Sequence, residues 1–181
     1  MPNQKRCENL LGAYALAVAD RLRTETEEVV GHSGAAAAAL LTIAHFPGRT
    51  VEFLRQAIGL SHPAAVRVVD RLVAQKLVQR RAAGGGPAVA LTTTAAGQRR
   101  ARELLDRRER VLADAMPELS EAESASLSAI LEKALAHLSD APGTTICRLC
   151  DQCACREAAC PVAQRQIELG AAPPEPVALD G

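Results

Sequence analysis

Aromatic side chains are almost absent from this chain of 181 residues, which has no tryptophan, one tyrosine and two phenylalanines. Hydrophobic residues still make up 48% of the sequence. A folded core must therefore be built from Leu, Val, Ile and Ala. One globular domain with a short appendage is the expectation at this length.

Long apolar runs are also lacking. Apolar runs such as residues 35–41 are far shorter than the roughly 20 residues of a membrane-spanning helix. The first residues, MPNQKRCENL, lack the basic segment followed by an apolar segment that is typical of a secretion signal. We therefore expect a cytoplasmic protein with no membrane partner.

The whole chain has a net charge of zero, but its positive and negative residues are segregated along the sequence. Residues 49–110 hold 13 Arg and Lys against 5 Asp and Glu, a net charge of +8. Residues 1–48 carry a net charge of −1, and residues 111–181 carry −7. A basic central segment is typical of phosphate contact, although segregated helix faces would give the same count.

Residues 50–91 predict two helices at a tight turn, followed by a hairpin. Thr50 is a candidate N-cap for the first helix, and Gly59 permits the left-handed backbone that ends a helix. Ser61 and Pro63 are typical of the start of a second helix. Two short helices at such a turn, followed by a hairpin, are the plan of a winged helix-turn-helix unit.

The second helix is predicted to have one apolar face and one face suited to a DNA groove. Its predicted buried residues are Val66, Val69, Leu72, Val73 and Leu77, and its predicted outer residues are Ala64, Arg67, Val68 and Arg71. Small residues allow close approach to the major groove, and arginine reaches guanine edges or phosphates. Solvated arginines on an ordinary amphipathic helix are the alternative.

The hairpin favours the DNA-binding interpretation. Residues 77–81 and 88–91 are short strand-like runs, and residues 82–87 contain three consecutive glycines. Arg80 and Arg81 lead into this turn, where a wing meets the DNA backbone or the minor groove.

These residues carry a resemblance to a known family. The run LRQAIGLSHPAAVRVVDRLVAQKLV, followed by two arginines, a hairpin and VALTTTAAG, resembles the MarR family of bacterial winged-helix regulators, over about residues 10–140. The resemblance implies a homodimer on double-stranded DNA, with one recognition helix per subunit in the major groove of a pseudo-palindrome, and it implies a regulator that is not an enzyme. The residues predicted to contact DNA are Thr50, Ser61, His62, Pro63, Ala64, Arg67, Arg71, Arg80 and Arg81. Gly85 and Pro87 stand where the family's wing commonly has Asp and Arg.

The remaining helices are predicted from caps and periodicity. They are expected at about residues 5–30, 35–45, 95–116 and 120–139, the last opened by a capping box of Ser120 and Glu123. The fold class is therefore mainly α, with about six helices and a β-hairpin wing. The first and last of these helices would form a dimerisation layer. His32 and His45 are more typical of polar surface or capping residues than of a metal or effector site.

Five cysteines in the sequence CRLCDQCACREAAC indicate metal or redox chemistry, because structural disulfides are rare in the cytosol. Two ligand sets are open: Cys147, Cys150, Cys155 and Cys160, or Cys150, Cys153, Cys155 and Cys160. Four thiolates suit tetrahedral zinc, and the alternative is an iron–sulfur cluster. The second set resembles the [2Fe–2S] motif of redox-sensing MerR-family regulators, with one residue fewer in the last gap.

The chain thus divides into a winged-helix domain (residues 1–140), a cysteine-rich segment (141–166) and a tail expected to be disordered (167–181). We expect a transcription repressor whose cysteine segment holds zinc as a structural staple, or an iron–sulfur cluster that senses redox state through the dimer layer. Its small-molecule effector is unknown. The alternatives are a dithiol oxidoreductase, which usually needs a strand before the cysteines and a helix after them, and a metal-binding module that contacts protein.

Overall fold

The computed structural model describes residues 2–31, 34–82, 89–140, 145–154, 160–171, 177 and 179. These residues form seven α-helices, one 3-10 helix and one antiparallel hairpin. The elements are α1 (Pro2–Val30), α2 (Gly34–His45), α3 (Val51–Ile58), α4 (His62–Ala74), β1 (Val78–Ala82), β2 (Val89–Thr93), α5 (Ala95–Ala115), α6 (Glu121–Leu138), the 3-10 helix (Ile146–Leu149) and α7 (Pro161–Glu168). The mainly helical fold with a β-hairpin is confirmed.

Helix α2 is the centre of the core. Every side chain from Ala36 to His45 is buried, and α2 packs against α1, α3, α4, α5 and β2. A helix that is apolar all round is expected to be enclosed in this way, and its alanines let the neighbouring helices approach closely. Five fully buried leucines come from five different elements: Leu40, Leu54, Leu72, Leu91 and Leu104.

Helices α1 and α5 pack along each other and are joined by a charged cluster. Arg107 of α5 lies 2.7 Å from a carboxylate oxygen of Glu25 and 3.4 Å from one of Glu28, both on α1. The N-terminal half of α1 leaves Leu10, Leu11, Tyr14 and Leu16 exposed, and α6 has no buried side chain. Two long helices therefore present apolar surface that this chain does not cover.

The start of α5 is fixed against the residues that precede β1. The hydroxyl of Thr94 donates to the carbonyl of Lys76 at 2.7 Å and accepts from the amide of Gly97 at 3.0 Å. A Cβ atom at Gly97 would lie 2.0 Å from the carbonyl oxygen of Leu77. Only glycine permits this approach, so α5 is held in one position relative to the hairpin.

His45 corrects one expectation from the sequence. It is not a surface or capping residue, since only 1% of it is exposed. Nδ1 of His45 lies 3.2 Å from the carbonyl oxygen of Val177. The backbone amide of Val177 in turn donates to the carbonyl of His45 at 2.7 Å. Burial lowers the pKa of His45. His32 lies outside the described residues. Within the described ranges, no helix is long and apolar enough to cross a membrane.

Candidate nucleic-acid interface

The turn between α3 and α4 has the local structure that the sequence predicts. Thr50 caps α3, with its hydroxyl accepting from the amide of Phe53 at 3.3 Å. Gly59 ends the helix in the left-handed region, at φ 69°. The amide of Leu60 donates back to the carbonyl of Arg55 at 2.9 Å, which closes the turn. These local bonds set the direction in which α4 leaves the turn.

The N-terminus of α4 faces solvent. Ser61 occupies the N-cap position but its side chain makes no capping hydrogen bond, and Pro63 lies in the first turn. Ser61, His62 and Pro63 are exposed, and Ala64 is half-buried. The first amides of a helix and the dipole behind them attract an anion such as phosphate. The predicted DNA-contacting residues at this end of α4 therefore share one accessible surface.

The buried face of α4 is rotated about the helix axis relative to the predicted one. Its buried residues are Ala65, Val69 and Leu72. Val68, predicted to face outwards, packs against the core, whereas Val66, predicted to be buried, is half-buried and outside the core cluster. The buried face is therefore centred on Ala65, Val69 and Leu72, each of which is fully buried. Arg67 and Arg71 are exposed, as the DNA-binding interpretation requires.

An acidic residue lies beside the start of α4. Glu52 of α3 receives hydrogen bonds from Arg55 at 2.6 Å and 2.5 Å, and it lies 3.8 Å from Nδ1 of His62. The bond from Arg55 lowers the pKa of Glu52. The carboxylate therefore stays charged and is largely neutralised by Arg55, so it does not repel an anion at α4 strongly.

The base of the wing is linked to the recognition helix. Arg80 on β1 pairs with Asp70 on α4, with Nη1 and Oδ1 2.8 Å apart. Arg81 is exposed. In the hairpin, Arg80 pairs with Leu91 and Ala82 with Val89. Residues 83–88, which include Gly85 and Pro87 and most of the predicted turn, lie outside the described residues.

The chain resembles known proteins in both sequence and structure. Residues 31–86 match the MarR family. The transcriptional regulator PA3341 superposes with a TM-score of 0.58 at 26% identity, over 74% of this chain and 98% of that one. The chain is therefore similar to the MarR family in sequence over residues 31–86, and in fold over about three quarters of its length. Comparison with curated protein sequences gave no match.

Two further MarR-type structures share the fold. A putative MarR family regulator from Listeria monocytogenes, complexed with a 26mer DNA, gives a TM-score of 0.58 at 22% identity, over 73% of this chain and 88% of that chain. MepR, a transcription regulator of the Staphylococcus aureus multidrug efflux pump MepA, gives a TM-score of 0.63 at 16% identity. The match covers 72% of this chain and 97% of that chain. The family consists of transcription regulators, in agreement with the prediction that this chain is not an enzyme.

Beyond the MarR-type unit, residues 145–154, here named the cysteine turn, fold back onto the core. Their 3-10 helix packs against α2, and Leu149 contacts the core cluster. Thr145 lies beside Gly59, in the turn between α3 and α4. A Cβ atom added to Gly59 would be only 2.9 Å from Cγ2 of Thr145. We expected the cysteines to act beside the dimerisation helices, but the cysteine turn lies against the reading unit. No local sequence pattern signals a contact between residues so distant in the chain.

The cysteine turn brings two of the predicted ligands together. The amide of Cys150 donates to the carbonyl of Cys147 at 3.0 Å, and their side chains are hydrogen-bonded. This bond, aided by the charges of Arg108 and Arg148 and opposed by burial and by Asp151, lowers the pKa of Cys150 to about 6. Cys147 lies in the 3-10 helix, and among the described residues the element that precedes this helix is α6, which is not a strand. This is not the usual setting of a dithiol oxidoreductase.

The other predicted ligands are more dispersed. Cys153 is exposed on the cysteine turn, and Cys160 stands at the N-cap of α7, which packs against α6. Cys155 lies outside the described residues. In the part of the chain that the structure describes, no group of three or more His, Cys, Asp or Glu is placed to hold a metal ion.

Proposed function

We propose that this MarR-family regulator binds a pseudo-palindromic operator as a homodimer and represses transcription. The observation that carries this proposal is the exposed surface of α4, where Arg67, Arg71 and the accessible N-terminus of the helix lie together. Arginine on such a surface can contact base edges and phosphates. Repression follows if the occupied operator overlaps a promoter.

The proposed dimer is supported by the apolar surface that a single chain leaves exposed. Exposed apolar residues lie on α1 (Leu10, Leu11 and Leu16) and on α6 (Ile130, Leu131 and Leu138). A second copy covering these helices would hold two α4 helices about 34 Å apart, the distance between successive major grooves on one side of DNA. The dimer is therefore part of the proposed reading mechanism.

The experiment is selection of a duplex from a random library, followed by titration of its affinity over a range of salt concentrations. We expect a pseudo-palindrome and an affinity that falls steeply with salt, because each neutralised phosphate releases counterions. Sedimentation at micromolar concentration should give a dimer. Affinity independent of salt, or a monomer that binds as tightly, would contradict the proposal. Repression is checked by transcription from a template carrying the selected site.

A metal site in the cysteine segment is a second proposal. The hydrogen-bonded thiols of Cys147 and Cys150 favour it, because they offer two thiolate ligands on one turn. Zinc is the expected ion, and a [2Fe–2S] cluster is the alternative. An ion would have to gather its remaining ligands as it binds, which couples binding to local folding.

The test is metal analysis and an absorption spectrum of protein purified without oxygen. Replacement of both Cys150 and Cys160 by Ser should lower the metal content. Cys7→Ser is the control, because Cys7 is an exposed cysteine on α1, outside the cysteine segment. Equal metal content in the double variant and the wild type would refute the site. Visible absorption bands lost in the double variant would identify an iron–sulfur cluster instead of zinc.

A further inference from the structure

Cys147 and Cys150 have the geometry of a pair that can be joined. They are the first and last residues of a hydrogen-bonded turn, and their side chains are in contact. The Cα atoms at the ends of such a turn lie within about 7 Å of each other, and disulfides span about 4.4–6.8 Å between Cα atoms. The two sulfurs can therefore form a bond without a large movement of the backbone.

The same turn contacts the reading unit through Thr145. Thr145 precedes Cys147 by two residues, and its methyl group occupies the space beside Gly59 that a side chain there would need. Gly59 is the left-handed residue at which the chain leaves α3 for the recognition helix. A movement of Thr145 therefore acts at the point that sets the direction of α4.

Beyond Thr145, the cysteine turn is held in place by the core and by a hydrogen bond within the turn. Leu149 packs against the core cluster, and the side-chain Nε2 of Gln152 donates to the carbonyl of Cys147 at 2.9 Å. A disulfide draws two sulfurs to about 2.05 Å, closer than a hydrogen-bonded pair can lie. Because Leu149 is held by the core, the tightening of the turn displaces its opposite end, where Thr145 lies.

We propose that oxidation joins Cys147 and Cys150 in a disulfide, and that this bond shifts Thr145 against the turn at Gly59 and weakens DNA binding. The inference rests on the proposed function as a DNA-binding regulator and names a way of controlling it. The oxidant is a peroxide. Two S–H bonds and one O–O bond break, one S–S bond forms, and two water molecules leave, so hydrogen peroxide accepts the two electrons of the thiols.

This control acts within one subunit. The contact at Gly59 links the cysteines to the recognition helix of the same chain, without a change in the arrangement of the dimer. The described cysteines are free thiols in this structure, and the proposal takes this reduced protein as the form that binds DNA tightly. An allosteric coupling typically changes affinity by about 5-fold to 150-fold.

The experiment treats the full chain with hydrogen peroxide, after removal of metal by a chelator. Peptide mapping should find Cys147 linked to Cys150 with the loss of two hydrogen atoms. Affinity for the selected duplex should fall by at least about five-fold and recover on treatment with dithiothreitol. Cys147→Ser and Cys150→Ser should each abolish the response, whereas Cys7→Ser and Cys153→Ser should retain it.

A second variant tests the route. Thr145→Ser removes the methyl group beside Gly59 and keeps the hydroxyl. It should form the disulfide as readily as the wild type, but its DNA affinity should respond less to oxidation. A response as large as that of the wild type would refute the route through Gly59.

The outcomes separate this inference from the proposed function. No link between Cys147 and Cys150 under peroxide would overturn the site, and a link with unchanged or tighter DNA binding would overturn the control. If the reduced wild type bound no duplex at all, the proposed function would fail, while the mapping would still decide whether the disulfide forms. A response that survives in Cys150→Ser would also overturn the inference.

Discussion

Arg80 at the base of the wing is paired with Asp70 on the recognition helix, with 2.8 Å between Nη1 and Oδ1. The pair joins two elements that must both reach DNA in the proposed function, and it occupies one of the arginines that we assigned to phosphate contact. Both side chains are substantially exposed, so the pair adds at most about 1 kcal/mol to stability. Its larger effect is on the charge that the reading surface presents.

Asp70→Asn should therefore tighten DNA binding. The change removes a negative charge beside the exposed arginines and releases Arg80 to contact a phosphate. The slope of log affinity against log salt concentration should steepen by about 0.9 for each phosphate gained. Salt titrations of the variant and the wild type measure this. Asp114→Asn, at the far end of α5, is the control and should leave the slope unchanged. A slope in Asp70→Asn equal to that of the wild type would show that Arg80 does not contact DNA.

Arg67→Ala should weaken DNA binding, because Arg67 is exposed on α4. If the side chain reads a base edge, the loss should be about 1–3 kcal/mol on the selected operator, with relaxed sequence preference. If it holds a phosphate, all duplexes should weaken alike and the salt slope should fall by about 1. Lys133→Ala on α6 is the control. Operator affinity equal to that of the wild type would show that Arg67 does not contribute to DNA binding.

Gly97→Ala should destabilise the fold. The added Cβ atom would meet the carbonyl oxygen of Leu77 at 2.0 Å, and α5 would have to move away from the hairpin. Overpacking of this kind typically lowers the free energy of unfolding by about 1–3 kcal/mol or more. Gly12→Ala in α1 is the control, since among the described residues its added Cβ atom meets nothing within 4 Å outside its own stretch of helix. There the free energy of unfolding, measured in urea, should rise by up to about 1 kcal/mol. Equal effects of the two variants would contradict the close approach at Gly97.

Stability should fall as pH is lowered, because burial lowers the pKa of His45 from its ordinary value of 6.5. Below pH 6.5 the unfolded chain binds a proton at this residue that the folded chain does not, so the free energy of unfolding decreases until the folded pKa is passed. Urea titrations from pH 8 to about pH 5 measure this. His45→Gln should flatten the dependence in this window. An unchanged dependence in His45→Gln would contradict this assignment.

Local signals made much of this fold predictable. The cap at Thr50, the left-handed Gly59 and the capping box of Ser120 and Glu123 depend on residues within a few positions of one another, and all three are confirmed. The exposure of Arg67 and Arg71 followed from helical spacing. The exact phase of α4 did not, because periodicity alone does not show that Ala65 is buried and Val66 only half-buried.

Long-range contacts account for what the sequence did not predict. His45 is buried, with Val177 among its contacts, and the cysteine turn lies against Gly59 through a contact made by Thr145. Both relationships join the C-terminal part of the chain to its first half. Neither has a spacing pattern, since each depends on where the chain returns after α6. The DNA contacts of individual residues and the metal site stay predictions.

The enclosure of α2 has a consequence for how the molecule opens. Because every side chain from Ala36 to His45 is buried, this part of α2 cannot separate from its neighbours without opening the core. Its amide protons should therefore exchange with solvent only through global unfolding. The amides of α6, which has no buried side chain, should exchange through local fluctuations in a single chain and become protected where a second chain covers them. Hydrogen exchange at several protein concentrations would thus distinguish the stability of the fold from that of the assembly.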